Sequence, residues 1–171
     1  EQTFDSLTPE EIAEVIDTAD RAFQDWKETP VSKRGEVLKA FADLVEGRAS
    51  ELADLIGKEM GKPKKQGEAE VKKVAFTARW FAENSEKFLE DTQLPDAQGA
   101  DQTYVKHDPL GVLLGIMPWN FPYNQIARFA LPNIMVGNAI LMKQAAICPT
   151  SSQAFQAVSY THLRAHETGR N

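Results

Sequence analysis

The sequence has little cysteine, no long hydrophobic run and no excess of positive charge. Its 171 residues include one cysteine, Cys148, which excludes an internal disulfide framework and fits a reducing cytoplasm. The longest apolar runs, at residues 111–117 and 139–142, are far shorter than the roughly 20 residues of a membrane-spanning helix. A formal net charge of −6 disfavours nucleic acid and anionic membranes as partners, because both would repel the chain.

What is present is the composition of a globular domain. Hydrophobic residues make up 42% and charged residues 26% of the chain, a balance typical of proteins that fold around a core in water. The length is sufficient for one such core. We therefore expect one soluble unit.

The first helix is predicted from its capping signal. Thr8 can cap the helix, Pro9 suits its first turn, and Glu11 stands where a capping-box carboxylate belongs. Seven apolar residues then recur at helical spacing and form one stripe: Ile12, Val15, Ile16, Ala19, Ala22, Phe23 and Trp26.

Three more helices are predicted before residue 91. The second follows Pro30, the third runs from about residue 50 to a Gly-Lys-Pro terminator at 61–63, and the fourth covers about residues 66–90. The residues expected to face inward are Val37, Leu38, Phe41, Leu44 and Val45 in the second helix, and Val71, Val74, Ala78, Phe81 and Phe88 in the fourth. These helices should form hairpins with charged outer faces, and we interpret the charged run at 62–65 as solvated surface.

Beyond residue 94 the pattern becomes that of an α/β fold. Residues 111–117 and 139–143 are continuous apolar runs, typical of strands buried on both faces of a parallel sheet. A helix over about residues 123–136 lies between them, with Pro132 as a kink or restart point and a Gly-Asn pair at its end. Strand, crossover helix and strand make a βαβ unit, which is characteristic of doubly wound, Rossmann-like folds.

Two polar side chains follow the predicted strands. Asn120 lies between two prolines directly after the first strand, and Lys143 ends the second. Ligands of open α/β sheets bind at the carboxyl ends of the strands, where a fixed amide could stabilise an oxyanion and a cation could contact a phosphate or ribose. The alternatives are a capping Asn in a rigid turn and a lysine that extends into solvent.

These motifs resemble the aldehyde dehydrogenase superfamily, and within it the succinate-semialdehyde dehydrogenases. The resemblance rests on Pro-Trp-Asn-Phe-Pro at 118–122, Gly-Asn at 137–138 and Met-Lys at 142–143, with Glu-Met-Gly-Lys-Pro at 59–63 and Glu-Val at 70–71 upstream. It covers nearly all of residues 10–157. It implies that residues 1–157 are the amino-terminal part of a cofactor-binding domain: helical hairpins plus the first βαβ unit.

The resemblance also implies roles for the residues at the predicted sheet edge. Asn120 is similar to the amide that stabilises the thiohemiacetal oxygen, and Lys143 to the lysine near the adenosine ribose. Four residues resemble the segment along the nicotinamide end of the cofactor: Ile116, Met117, Pro118 and Trp119. Ala146 departs from the pattern, since many NAD-preferring members have Glu three residues after this lysine. The cofactor is therefore NAD or NADP.

Arg128 bears on the choice of substrate. Its helix is otherwise apolar here, and a guanidinium facing an apolar channel needs an anionic partner. The resemblance implies that Arg128 holds the far carboxylate of succinate semialdehyde, with Phe121 also lining the substrate site. The alternatives are an Asp or Glu partner for Arg128, or a side chain in solvent.

The family's catalytic residues are not found in this sequence. The resemblance implies a nucleophilic Cys in a Gly-Gln-x-Cys setting and a general-base Glu in Glu-Leu-Gly-Gly, and neither motif occurs here. Cys148 directly precedes Pro149, and we expect it to be a packed thiol. We expect the chain to be a fragment of an oxidoreductase that has no turnover alone. Two alternatives stay open: a dehydrogenase of uncharged aldehydes, and a non-enzymatic helical interaction module, which would need a large exposed apolar patch with no open sheet beside it.

Two further segments carry expectations. Residues 102–107 have strand composition, and the resemblance implies that residues 102–109 begin the oligomerisation ribbon of a homodimer or homotetramer. Residues 158–171 lack apolar periodicity and resemble a translated sequencing adapter, so we expect a non-native tail. His162 and His166 within it are one helical turn apart but lack the Glu of a zinc-hydrolase motif, so we predict no metal site.

Overall fold

The chain folds as a helical layer joined to a small parallel sheet. The structure is a computed structural model that describes residues 6–95 and 98–163, with side chains as far as residue 159. Its elements are α1 (Pro9–Trp26), α2 (Val31–Gly47), α3 (Ala49–Met60), α4 (Lys64–Phe88), β1 (Thr92–Gln93), β2 (Tyr104–Val105), β3 (Val112–Ile116), α5 (Pro122–Val136), β4 (Ala139–Lys143) and α6 (Pro149–Leu163).

Several helices begin or end at the capping and terminating residues predicted from the sequence. The Thr8 hydroxyl accepts from the Glu11 N–H at 3.2 Å and the Glu11 carboxylate accepts from the Thr8 N–H at 2.7 Å, which confirms the capping box. Gly61 ends α3 with φ 76° and Gly137 ends α5 with φ 110°, a conformation that favours glycine. Pro132 lies inside α5, which continues through it as one helix.

The core lies between α2, α3, α4, α5 and α6. Its fully buried members include Ala42, Val45, Leu52, Ile56, Val71, Val74 and Ala78, with Tyr123 and Met135 from α5 and Phe155 and Val158 from α6. The Tyr123 and Phe155 rings stack with centroids 5.2 Å apart. The predicted inward faces of the second and fourth helices are confirmed, except that Phe88 is exposed.

Helix α1 is the exception among the helices, because most of its apolar stripe is exposed. Ile12, Val15 and Ile16 are exposed, whereas Ala19 is buried. The helix packs against β3 and β4, and the Trp26 indole N–H donates to the Ile134 carbonyl at 2.9 Å. It is therefore attached to the sheet by its second half.

The strands form two separate pairs. Strands β1 and β2 are antiparallel and exposed, and β2 lies within residues 102–109, the predicted start of the ribbon. Strands β3 and β4 are parallel with α5 as the crossover, which confirms the predicted βαβ unit. The expected burial of β3 on both faces is wrong, because Leu114 and Ile116 are 62% and 68% exposed while Gly115 packs against α5.

The last helix crosses the predicted start of the non-native tail. Helix α6 continues to Leu163, and Val158 belongs to the core. The side chain of His162 and all of residues 164–171, including His166, lie outside the described residues, so the tail stays a prediction. In the part of the chain that is described, no helix has both the length and the apolar character that crossing a membrane requires.

Candidate active site

The carboxyl ends of β3 and β4 meet at one edge of the sheet. In the parallel register Ile116 pairs with Lys143, and the Met117 N–H donates to the Lys143 carbonyl at 3.0 Å. Just beyond the strands, the Gln144 side-chain amide donates to the Pro122 carbonyl at 3.0 Å. The turn at 117–121 and the segment after β4 therefore share this edge, as expected of a βαβ unit.

Asn120 is exposed in this turn. Within the described residues its side-chain amide has no hydrogen-bond partner, whereas its main-chain carbonyl accepts from the Lys62 ammonium at 2.9 Å. Its neighbours Trp119 and Phe121 are exposed as well. Lys62 thus holds the backbone of Asn120 in place, while the side-chain amide remains exposed and available to a ligand.

The interpretation of Lys62 as solvated surface is wrong. Lys62 forms an ion pair with Glu70, and the two side chains are only 7% and 1% exposed. The ammonium also lies 3.9 Å from the centroid of the Phe121 ring. The charge is buried because it is paired, hydrogen-bonded and stacked on an aromatic face at once.

Glu70 connects the same pair to the start of α5. One carboxylate oxygen contacts Lys62, and the other accepts from the main-chain N–H groups of Tyr123 and Asn124 at 2.9 and 3.0 Å. A carboxylate at a helix N-terminus satisfies unpaired N–H groups and is favoured by the helix dipole. The sequence does carry a signal for this role, because Glu70 continues the apolar face of α4 one turn before Val74.

Glu59 has an equivalent role at α6. Its two carboxylate oxygens accept from the N–H groups of Thr150 and Ser151 at 2.6 and 3.0 Å. The N-termini of α5 and α6, which follow the two parallel strands, are therefore both occupied by carboxylates from the helical layer. A ligand phosphate would have to displace a carboxylate to bind at either of them.

The other predicted cofactor residues lie along the sheet edge. Lys143 is exposed and its ammonium donates to the Gln144 carbonyl at 3.3 Å. Ala146, Ile116 and Pro118 are exposed, and Met117 is half-buried. The structure thus exposes the Lys143 ammonium and apolar side chains of residues 116–119 at the same end of the sheet.

Arg128 is not in an apolar channel of this chain. It is exposed on α5, and among the described residues it has neither an ion pair nor a hydrogen bond. The premise that its charge is buried is therefore wrong here. Within the part of the chain that the structure describes, its guanidinium is unpaired and open to an anionic ligand.

Cys148 is a packed thiol, as expected from its place before Pro149. It is fully buried, and its sulfur lies 4.0 Å from the Trp119 carbonyl oxygen. Burial raises the pKa of the Cys148 thiol, because a thiolate is poorly solvated there. A group held in this protonated form is a poor nucleophile.

Nearly the whole chain matches known proteins of one family. A sequence profile of the Aldehyde dehydrogenase family matches residues 2–161. The chain is 41% identical over 155 residues to the succinate-semialdehyde dehydrogenase (NADP(+)) of Deinococcus radiodurans, an alignment that covers 91% of this chain and 32% of that protein. The chain therefore spans about a third of the length of this relative.

Solved structures give the same result. A succinic semialdehyde dehydrogenase from Streptococcus pyogenes, in complex with NADP+, superposes with a TM-score of 0.88 at 33% identity and covers 94% of this chain and 35% of that one. A glyceraldehyde-3-phosphate dehydrogenase from Methanocaldococcus jannaschii, complexed with NADP, superposes with a TM-score of 0.90 at 26% identity and covers 97% and 36%. The helical layer and the βαβ unit thus have counterparts in these enzymes.

Proposed function

Since this chain belongs to the aldehyde dehydrogenase family, we propose that it supplies the oxyanion-binding turn and part of the cofactor site of an NAD(P)-dependent aldehyde oxidation. One observation carries the proposal: the Asn120 amide, exposed and without a partner in the described part of the chain, follows a strand whose end is paired with Lys143. A dinucleotide and a carbonyl group would meet along this edge.

In the proposed reaction a cysteine thiolate attacks the aldehyde and forms a thiohemiacetal. The Asn120 N–H donates to the resulting oxyanion, and such a donor contributes most when it stabilises charge that develops in the transition state. The nicotinamide, when bound, supplies the hydride acceptor. A thioester then remains, and water activated by a glutamate hydrolyses it. The thiolate and the glutamate are not assigned to residues of this chain; Cys148 in particular is buried, and burial raises the pKa of its thiol.

The residues at the edge fit NADP as the cofactor. Lys143 offers a cation, and Ala146 offers no carboxylate that would repel a 2′-phosphate. Ile116 and Trp119 give exposed apolar surface on the nicotinamide side. Relatives that use NADP by name support this choice over NAD.

We propose succinate semialdehyde as the substrate and Arg128 as the clamp for its far carboxylate. An exposed guanidinium without an ion pair in the described residues can form two parallel hydrogen bonds to a carboxylate. The name of the relative from Deinococcus radiodurans supports the same substrate. A cytoplasmic homodimer or homotetramer, joined through a ribbon that includes β1 and β2, completes the proposal.

The open sheet argues against a purely structural helical module. Exposed apolar side chains do occur on the helices, at Phe76 and Phe88 of α4 for example, but the chain also has the β3–β4 sheet, where Ile116 and Lys143 are exposed at the carboxyl edge. A helical interaction module would have a large exposed apolar patch and no open sheet edge beside it. The enzymatic proposal accounts for the sheet edge and the polar side chains exposed there.

The test is the kinetics of the full-length protein with NADP and two aldehydes of similar size, succinate semialdehyde and butyraldehyde. We expect Arg128→Leu to raise the KM for succinate semialdehyde by roughly 10- to 100-fold, since a charge-assisted hydrogen bond contributes about 1.5–3 kcal/mol, and to leave butyraldehyde kinetics unchanged. Unchanged kinetics for both aldehydes would favour a dehydrogenase of uncharged aldehydes. Absence of aldehyde-dependent NADPH formation in the wild type would refute the proposal.

A further inference from the structure

The buried ion pair of Lys62 and Glu70 needs a physical reason. Removing two charges from water costs several kcal/mol per ion, and well-packed apolar residues often stabilise a fold as much or more. The pair lies beside the core of α3 and α4, where Val71 next to Glu70 is fully buried. Its polar contacts show what it holds in place.

The contacts of Lys62 converge on the turn at 118–122. An ammonium has three donors, and one of them contacts Glu70. Another donates to the Asn120 carbonyl at 2.9 Å, and the ammonium lies 3.9 Å from the centroid of the Phe121 ring. Among the described residues, the contacts recorded for the ammonium besides Glu70 are with the Asn120 carbonyl and the Phe121 ring.

Glu70 fixes the same turn from its other end. Its second oxygen accepts from the N–H groups of Tyr123 and Asn124, the first groups of α5 after Pro122. The proline rings fix φ at residues 118 and 122. The peptide that carries the Asn120 side chain is thus held on both sides by one buried pair from the helical layer.

We propose that Lys62 and Glu70 are positioning residues that orient the Asn120 amide toward the reacting carbonyl oxygen. This inference rests on the proposed function. Both side chains are buried, at 7% and 1% exposed, so we infer that they act through the turn and prevent it from relaxing. Oxyanion stabilisation depends on a donor distance within a few tenths of an ångström, and a displacement of about 1 Å can cost roughly 100-fold in rate.

The test uses Lys62→Met and Glu70→Gln in the full-length enzyme, each alone and combined with Asn120→Ala. We expect each single variant to lower kcat by about 10- to 100-fold while the KM for NADP changes less than about 3-fold. In the Asn120→Ala background the same substitutions should lower kcat by less than about 2-fold, because residues that act through one group are not additive. Glu70→Gln keeps the shape of the side chain, so it decides the outcome if Lys62→Met does not fold.

Two control variants separate positioning from general destabilisation. Val71→Ala removes a fully buried methyl pair next to Glu70 without touching the turn, and Lys64→Met removes an exposed ion pair with Asp54. Both should leave kcat within about 2-fold of wild type at temperatures where the protein is folded.

Three results would overturn the inference. The first is wild-type kcat in both Lys62→Met and Glu70→Gln, the second is an equal loss of kcat with and without Asn120, and the third is agreement with Val71→Ala in every parameter. Each of these leaves the proposed function standing, provided that the wild type oxidises the aldehyde. An inactive wild type would instead overturn the proposed function and this inference with it.

Discussion

The Asn138 side chain joins the start of β3 to the end of α5. It is buried after Gly137, and its amide oxygen accepts from the N–H groups of Leu110 and Gly111 at 2.6 and 2.9 Å. Its amide nitrogen donates to the Asn133 side chain at 3.3 Å. The start of β3 is therefore fixed to the end of α5 by one side chain, which sets where the strand begins and hence where its carboxyl end lies.

Replacing this amide should destabilise the fold. We expect Asn138→Ala to lower the free energy of unfolding by about 2–4 kcal/mol, since each buried donor left unpaired costs about 1–3 kcal/mol. The measurement is the urea midpoint at an unchanged slope. Asn84→Ala is the matched control: its amide donates to the Trp80 carbonyl on the helix surface, and the change should stay within about 0.5 kcal/mol. Equal effects of the two substitutions would contradict the role given to Asn138.

The sequence predicts which residues lie at the sheet edge better than it predicts which distant residues contact each other. It predicts Asn120 and Lys143 at one edge, because two strand ends and their register follow from local patterns. It does not predict that Lys62 is buried, since a lysine between a helix stop and a charged run looks like surface. The partners of Lys62 lie 8 and 58 residues away, so only the folded chain brings them together.

At the scale of elements, α2 and α4 pack with almost no space between their backbones. A Cβ at Gly35 would lie 2.9 Å from the Ala82 carbonyl oxygen, which is shorter than van der Waals contact. Gly47, at the end of the same helix α2, would meet nothing within 4 Å. A side chain at residue 35 would therefore change both the helix packing and the helix propensity, whereas one at residue 47 would change only the propensity.

The variants Gly35→Ala and Gly47→Ala measure this difference. Both gain up to about 1 kcal/mol of helix propensity, but overpacking at residue 35 costs about 1–3 kcal/mol because backbone must move. We expect Gly35→Ala to have the lower thermal midpoint and Gly47→Ala to equal or exceed the wild type. A Gly35→Ala protein as stable as Gly47→Ala would show that the two helices can separate without loss.

Helix bounds follow from the sequence, whereas burial does not. Capping residues and terminators predict α1, α3 and α5 closely, because these signals act within a few residues. The exposed stripe of α1 and the exposed Leu114 of β3 are not predictable in this way. An apolar pattern records that a face is suited to burial, and only the three-dimensional packing shows whether something covers it.

At the scale of the whole molecule, the site combines two layers of the fold. The βαβ unit supplies the Asn120 turn and Lys143, and the helical layer supplies Lys62, Glu70 and Glu59. The first contribution is predictable from the apolar runs of the two strands, and the second depends on how α3 and α4 pack against α5. The turn is therefore stable only when both layers are folded together.

The 171-residue chain alone should have no dehydrogenase activity. We expect no aldehyde-dependent formation of NADPH, and the same background from Cys148→Ser, because Cys148 is the one cysteine in the sequence and it is buried. Its pKa is raised by burial, so the thiolate fraction at neutral pH is smaller than that of an exposed thiol and increases only in more alkaline solution.

Two measurements check this expectation. An aromatic disulfide reagent should react slowly with the folded chain at about pH 8 and rapidly after unfolding in urea, where the thiol has its ordinary pKa. The absorbance of reduced nicotinamide should then stay flat with aldehyde and NADP present. Turnover that Cys148→Ser abolishes would mean that the buried thiol becomes a nucleophile in the native state, and the assignment of Cys148 as a packing residue would be wrong.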